Sequence, residues 1–269
     1  MSVICNVVNE GLVRTSGAFL TGAGDFTIGF KFNSITTRPG VGTEKVFHIL
    51  GDAAYVGNFC RIYEDENGHL NFEGEGAASS TQDIGRISLA RWYDFFYVYD
   101  NTAKTIQLWV DGWLLFTKSI DFNASAFVAE RLGYDLTSDD VTNVEFAWYR
   151  SWDGQKLTSS QIQSERVSPT PVLATNLFVA TTLDDITAGL VDSIAARNWT
   201  ANGSISTGTS PTLNSASPTN LTPASAFDLG ILRETFFLSA WDGADNPDLW
   251  FKYSPLAGET SIQVFGIGT

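Results

Sequence analysis

Apolar and polar residues alternate along most of this chain with the period of two that marks β-strands. In residues 25–33, Phe26, Ile28, Phe30 and Phe32 share one face, and Thr27, Gly29 and Lys31 share the other. That predicts a half-buried strand. Residues 91–120 predict three strands joined by two turns. Phe95, Tyr97 and Tyr99 alternate with Asp94, Phe96 and Val98, and residues 100–104 supply turn formers. Ile106, Leu108 and Val110 then oppose Gln107 and Trp109. Asp111-Gly112 is a two-residue hairpin signal, because both central residues of that turn take positive φ. Residues 113–118 form the return strand. A meander this rich in aromatic and β-branched residues predicts the centre of a sheet.

Further strands are predicted at residues 46–50, 59–63, 69–72, 84–89 and 144–148, with a short one within 9–21. Asn67-Gly68 predicts a tight turn, and residues 77–82 a small-residue loop. Thr158 and Gln161 have the spacing of a capping box, so a short helix starts there. Residues 177–192 add a last strand or two. Residues 203–225 are rich in Ser, Thr and Asn, with Pro211, Pro218 and Pro223, and read as a linker. Strands return from residue 233 as ETFFLSAW, DLWFKYS and TSIQVFGIG. Three strands are few for an independent domain. The expected organisation is a sandwich at residues 1–202, a linker at 203–225, and at 226–269 a second β module that is incomplete or finished by another chain.

The meander carries a resemblance. Trp92, Leu108, Val110, Asp111 and Gly112 stand where the laminin G-like, concanavalin A-like jelly roll writes a tryptophan, alternating apolar residues and V-D-G. Asp25-Phe26-Thr27-Ile28 is similar to that family's first sandwich strand, although Lys31 stands where a tryptophan is common. Leu157-Thr158 with Gln161-Ile162 is similar to its closing segment, and the likeness covers about residues 9–200. The resemblance implies an all-β, two-sheet antiparallel jelly-roll sandwich. It also implies one calcium ion on the sandwich rim, with Asp52, Asp139 and Asp140 as the loop acids in matching stretches. Such a site suits calcium, which takes six to eight oxygens; the plainer reading of these acids is surface charge, and no other cofactor is expected. Residues 249–265 resemble the first half of β-modules repeated in surface proteins and phage fibres.

The chain has 269 residues and a formal net charge of −14. That charge opposes nucleic acid, whose phosphates need clustered Lys and Arg. No apolar run is long enough to span a membrane, and the start lacks the pattern of a secretory signal. Cys5 and Cys60 are too few for a disulfide framework and read as buried thiols. His48 and His69 with those two cysteines do not make a zinc site.

No nucleotide-binding, serine-hydrolase or zinc-protease motif is present. Glu73 and Glu75 would share one face of a strand, as a glycosidase pair must, but the flanking glycines depart from the glycosidase pattern of this fold. Glu64, Asp65 and Glu66 read as a solvated turn. Aromatics are abundant, with eight Trp, eight Tyr and 19 Phe. Most belong in a core; Trp109, Trp113, Tyr149 and Trp152 are the candidates for stacking on a sugar, against a plainer role in packing.

The expected function is therefore a non-catalytic virion structural or adhesion protein, such as a phage capsid decoration or tail fibre component. It would assemble in the host cytoplasm with other virion proteins or copies of itself, and contact host-surface glycans through sandwich-rim loops. An extracellular or cell-surface setting is the alternative location. A glycoside hydrolase, or a stand-alone carbohydrate-binding module, is the alternative function on the same sandwich.

Overall fold

The computed structural model describes residues 2–5, 10–14, 24–35, 38–52, 55, 57–77, 79–123, 127–134, 143–186, 188–195 and 197–208. The chain divides into two units, residues 1–220 and 221–269. All the described residues belong to the first. The module expected at residues 226–269, and residues 209–225 of the expected linker, lie outside the described residues.

Among the described residues, fifteen strands build two antiparallel sheets. The first sheet runs β10 (Trp113–Ser119), β9 (Thr105–Val110), β8 (Trp92–Asp100), β3 (Phe26–Ser34), β12 (Val144–Asp153), β1 (Ser2–Cys5) and β15 (Ser206–Gly208), with β13 (Leu177–Thr181) also on β12. The second runs β14 (Thr200–Asn202), β2 (Gly11–Arg14), β11 (Ala129–Leu132), β4 (Lys45–Gly51), β5 (Phe59–Glu64), β6 (His69–Glu75) and β7 (Ser79–Arg86). The chain is the all-β two-sheet sandwich that the resemblance implies. Inward residues of both sheets form one core, including Phe26, Phe30, Phe32, Phe95, Tyr97 and Phe146 from the first and Leu50, Ile62, Phe72 and Leu132 from the second. Each such side chain contributes roughly 1.5–3 kcal/mol on leaving water.

The Asp111-Gly112 hairpin forms as expected, with φ of 51° and 81°. The meander, however, is the flank of its sheet and not the centre, which is β3. Strand β3 is also buried on both faces rather than one. A helix, α1 (Ser159–Val167), belongs to a second apolar cluster in which Leu157 and Ile162 pack with Phe96, Val98, Trp148 and Trp152. Its N-terminus carries the predicted capping box of Thr158 and Gln161. Arg150 clamps it: Nη1 donates to Glu165 Oε2 at 2.6 Å and Nη2 to the Ser168 carbonyl at 2.7 Å. Gly29 lets the chains close up, since a Cβ there would meet the Phe96 ring at 2.4 Å.

Other expectations shift. The loop at residues 77–82 is mostly strand, because β7 reads S-S-T-Q-D-I-G-R, a polar edge strand with little hydrophobic signal. Residues 182–186 and 188–192 are loop, with a short 3-10 turn at Ala188–Leu190. The sandwich extends past residue 202, where β15 pairs with β1. Glu64 is no solvated turn residue. It is buried, accepting from Ser34 Oγ and Arg38 Nη1 at 2.8 Å each, with Lys45 Nζ at 3.4 Å. Cys5 and Cys60 are buried free thiols on opposite sheets, and burial pushes both thiols far up from the ordinary range.

Candidate functional site

At one end of the sandwich, loops from both sheets surround a depression of about 560 Å³. The β8–β9 turn brings Asn101 and Lys104; the segment after β10 brings Asp121, Phe122 and Asn123. Gly57 and Asn58 precede β5, and Gly76 and Ala77 follow β6.

Local chemistry holds each wall. The carboxylate of Asp100 accepts from the N–H groups of Thr102 at 2.9 Å and Ala103 at 2.8 Å, which closes the β8–β9 turn. Asp25, just before β3, accepts from the Asn101 N–H at 2.9 Å. Asn58 and Asn123 clasp each other: Asn58 Nδ2 donates to the Asn123 carbonyl at 2.8 Å, and the Asn123 N–H donates to Asn58 Oδ1 at 3.0 Å. The Ala77 N–H donates to the Asp121 carbonyl at 3.0 Å. Below them, Phe122 is buried against Tyr99 and Phe127, with ring centroids 5.3 and 5.5 Å away.

The charged part is a pair open to solvent. Lys104 Nζ lies 2.9 Å from Asp121 Oδ1, with the side chains 45% and 51% exposed. It also donates to Asn101 Oδ1 at 2.9 Å. The bond to Asp121 raises the ammonium above its usual range. Next to it, Lys156 Nζ meets Asp100 at 2.6 Å and Asp25 at 3.8 Å, and its bond to Asp100 holds that carboxyl low. Carboxylates, amides and ammonium groups around an open hollow can bond a ligand rich in hydroxyls.

The residues expected to stack on sugars are not brought together there. Tyr149 is fully buried and its hydroxyl donates to Glu130. Trp152 is fully buried, and its Nε1 donates to the Leu173 carbonyl at 2.9 Å. Neither ring has a face free for a ligand; β12 is covered on both sides, which alternation alone does not reveal. Trp109 is half-buried against the α1 cluster, and Trp113 is exposed on the outermost strand, at the other end of β9 from the depression.

Asp52 sits beside the depression, its N–H donating to the Asn58 carbonyl at 3.0 Å. Asp139 and Asp140 lie outside the described residues. Among the described residues no group of three His, Cys, Asp or Glu side chains could hold a metal ion. Glu73 and Glu75 share a face of β6, and Glu73 is held by Arg61 at 2.7 Å.

A second polar group, sealed between the sheets, had no counterpart in the sequence reading. Glu130 on β11 accepts from Arg14 and Tyr149, and its Oε1 lies 2.7 Å from His48 Nε2. His48 Nδ1 lies 3.4 Å from the Tyr97 hydroxyl. The Arg14 guanidinium lies over the rings of Tyr149 and Trp199, 5.4 and 5.0 Å from their centroids. Burial drives the Glu130 carboxyl up, but Arg14, His48 and Tyr149 outweigh it and bring it below its ordinary value. The described surroundings are closed, so this group supports the fold.

No protein-family model and no curated protein matches the sequence. Solved structures match the fold. A heptameric SAP-like pentraxin from Limulus polyphemus aligns with a TM-score of 0.56 and 15% identity, over 79% of this chain and 96% of that one. A Bacteroides ovatus protein described as a candidate carbohydrate-binding protein aligns with a TM-score of 0.53 and 16% identity, over 76% of this chain and 60% of that one. At such identities the likeness is one of architecture, and it fits the concanavalin A-like sandwich expected from the meander.

Proposed function

We propose that this chain is a non-catalytic adhesion domain that binds carbohydrate in the depression at the end of its sandwich. The observation that carries the reading is the convergence of Asn58, Asn101, Lys104, Asp121 and Asn123 from three loops onto one open hollow. The description of the Bacteroides ovatus protein as a candidate for carbohydrate binding supports it. The ligand is a neutral sugar. Asp25, Asp100 and Asp121 outnumber Lys104 and Lys156 around the hollow, and the chain carries a net charge of −14, so an anionic sugar meets repulsion.

Binding of the purified chain to an array of neutral and acidic glycans tests this. Neutral glycans should bind, and Asp121→Asn combined with Asn123→Ala should weaken them by about tenfold or more. Silence across the neutral glycans, or binding indifferent to the double variant, would sink the proposal. Hydrolysis of a bound glycan would return the chain to the enzyme class.

The setting that goes with this reading is an assembled particle, such as a phage fibre or capsid decoration, or else a cell surface. It rests on the resemblance of residues 249–265 to fibre modules. Cofractionation of the chain with particles supports it, and recovery from particle-free membranes alone argues for the surface. Among the described residues, no helix is long and apolar enough to cross a membrane.

A further inference from the structure

The two edge strands on one side of the sandwich differ. Edge strand β7 is polar apart from Ile84 and Gly85. Edge strand β10 reads W-L-L-F-T-K-S, and it exposes Trp113 at 60% and Leu115 at 46%. Its inner edge pairs with β9, and among the described residues no strand pairs with its outer edge. Lys118 reaches across to β7, where its Nζ meets Gln82 Oε1 at 3.1 Å. A lysine and the irregularity between Leu114 and Phe116 are devices that keep an edge single. They do not account for two large apolar side chains left in water beside unpaired backbone groups.

We propose that β10 pairs antiparallel with β10 of a second copy of this chain, so that two first sheets join into one. Three observations select that occupant. The backbone edge is self-complementary in an antiparallel, two-fold arrangement. Full overlap of Trp113–Ser119 centres the axis on Phe116, so Lys118 faces Leu114 of the other copy and no like charges meet. Strand β10 has no acidic residue, whereas the whole chain carries −14, so this edge lets two copies approach without the repulsion felt elsewhere. Trp113 and Leu115 lose their exposure on pairing, as apolar interface anchors do.

Sedimentation of the full chain across a wide concentration range tests this. The expected result is a reversible dimer, which Leu115→Asp weakens by about tenfold or more. Trp113→Lys, at a site where no core is disturbed, should act the same way and stands in if the first variant folds poorly. Mixing Leu115→Cys with Thr117→Cys chains should give a disulfide-linked heterodimer under oxidation. A monomer at every concentration overturns the proposal. So does a dimer that tolerates both charged substitutions, or one that forms while the two cysteines never link.

Discussion

Two of the carboxylate–cation groups in this molecule differ in almost everything but chemistry. Glu130, Arg14 and His48 are sealed between the sheets, with Tyr149 and Trp199 closing them in. Asp121 and Lys104 meet on loops at the sandwich end, about half exposed. Inside, water cannot replace a lost partner, so removing one member strands the others. Outside, water and salt take over at once, so the pair adds little to stability and is free to exchange partners with a ligand. The same functional groups therefore serve folding in one place and, on the proposed reading, recognition in the other.

The sharpest way to break this contrast is Glu130→Ala. It should cost about 3–5 kcal/mol, because it leaves a buried guanidinium uncompensated. Denaturant unfolding measures it, and a loss below about 1 kcal/mol would mean the interior group is not structural.

Acid is the next lever. Glu130 is held below its ordinary value of 4.5, so its contribution is fully present above that pH. Stability should drain away as pH falls from about 4.5 through its folded value, and the loss should be shallower in Glu130→Gln. A wild-type and variant profile of equal slope would contradict the assignment.

Tyr149→Phe removes one donor to the same carboxylate and should cost about 2 kcal/mol, less than losing the carboxylate itself. At the other end of the scale, Lys104→Met should leave the thermal midpoint where it was while lowering affinity for neutral glycans. A large drop in the midpoint would erase the distinction between the two groups.

The sandwich was legible from the chain because its evidence is local. Phe26 to Phe32 and Phe95 to Tyr99 alternate strongly enough to declare a buried face, and Asp111-Gly112 and Thr158 with Gln161 declare their own turn and cap. What alternation could not say is how many layers cover a strand. Strand β3 and Trp152 are buried on the side that faces α1, and the aromatic meander ended at an edge. The first half of β7 reads as a loop in the sequence because backbone pairing with β6, rather than any apolar pattern, makes it a strand.

Fold class, the meander and the absence of known catalytic motifs were thus written in the order of residues, since strand, turn and cap are set by neighbours a few positions apart. The site was not. Asn58, Asn101, Asp121 and Asn123 carry no mutual spacing, and they meet only because two sheets bring three loops to one end. Glu130 and Arg14, and Trp113 and its bare edge, were likewise decided by packing. A carboxylate acquires its role from what surrounds it, and those surroundings come from residues far away along the chain.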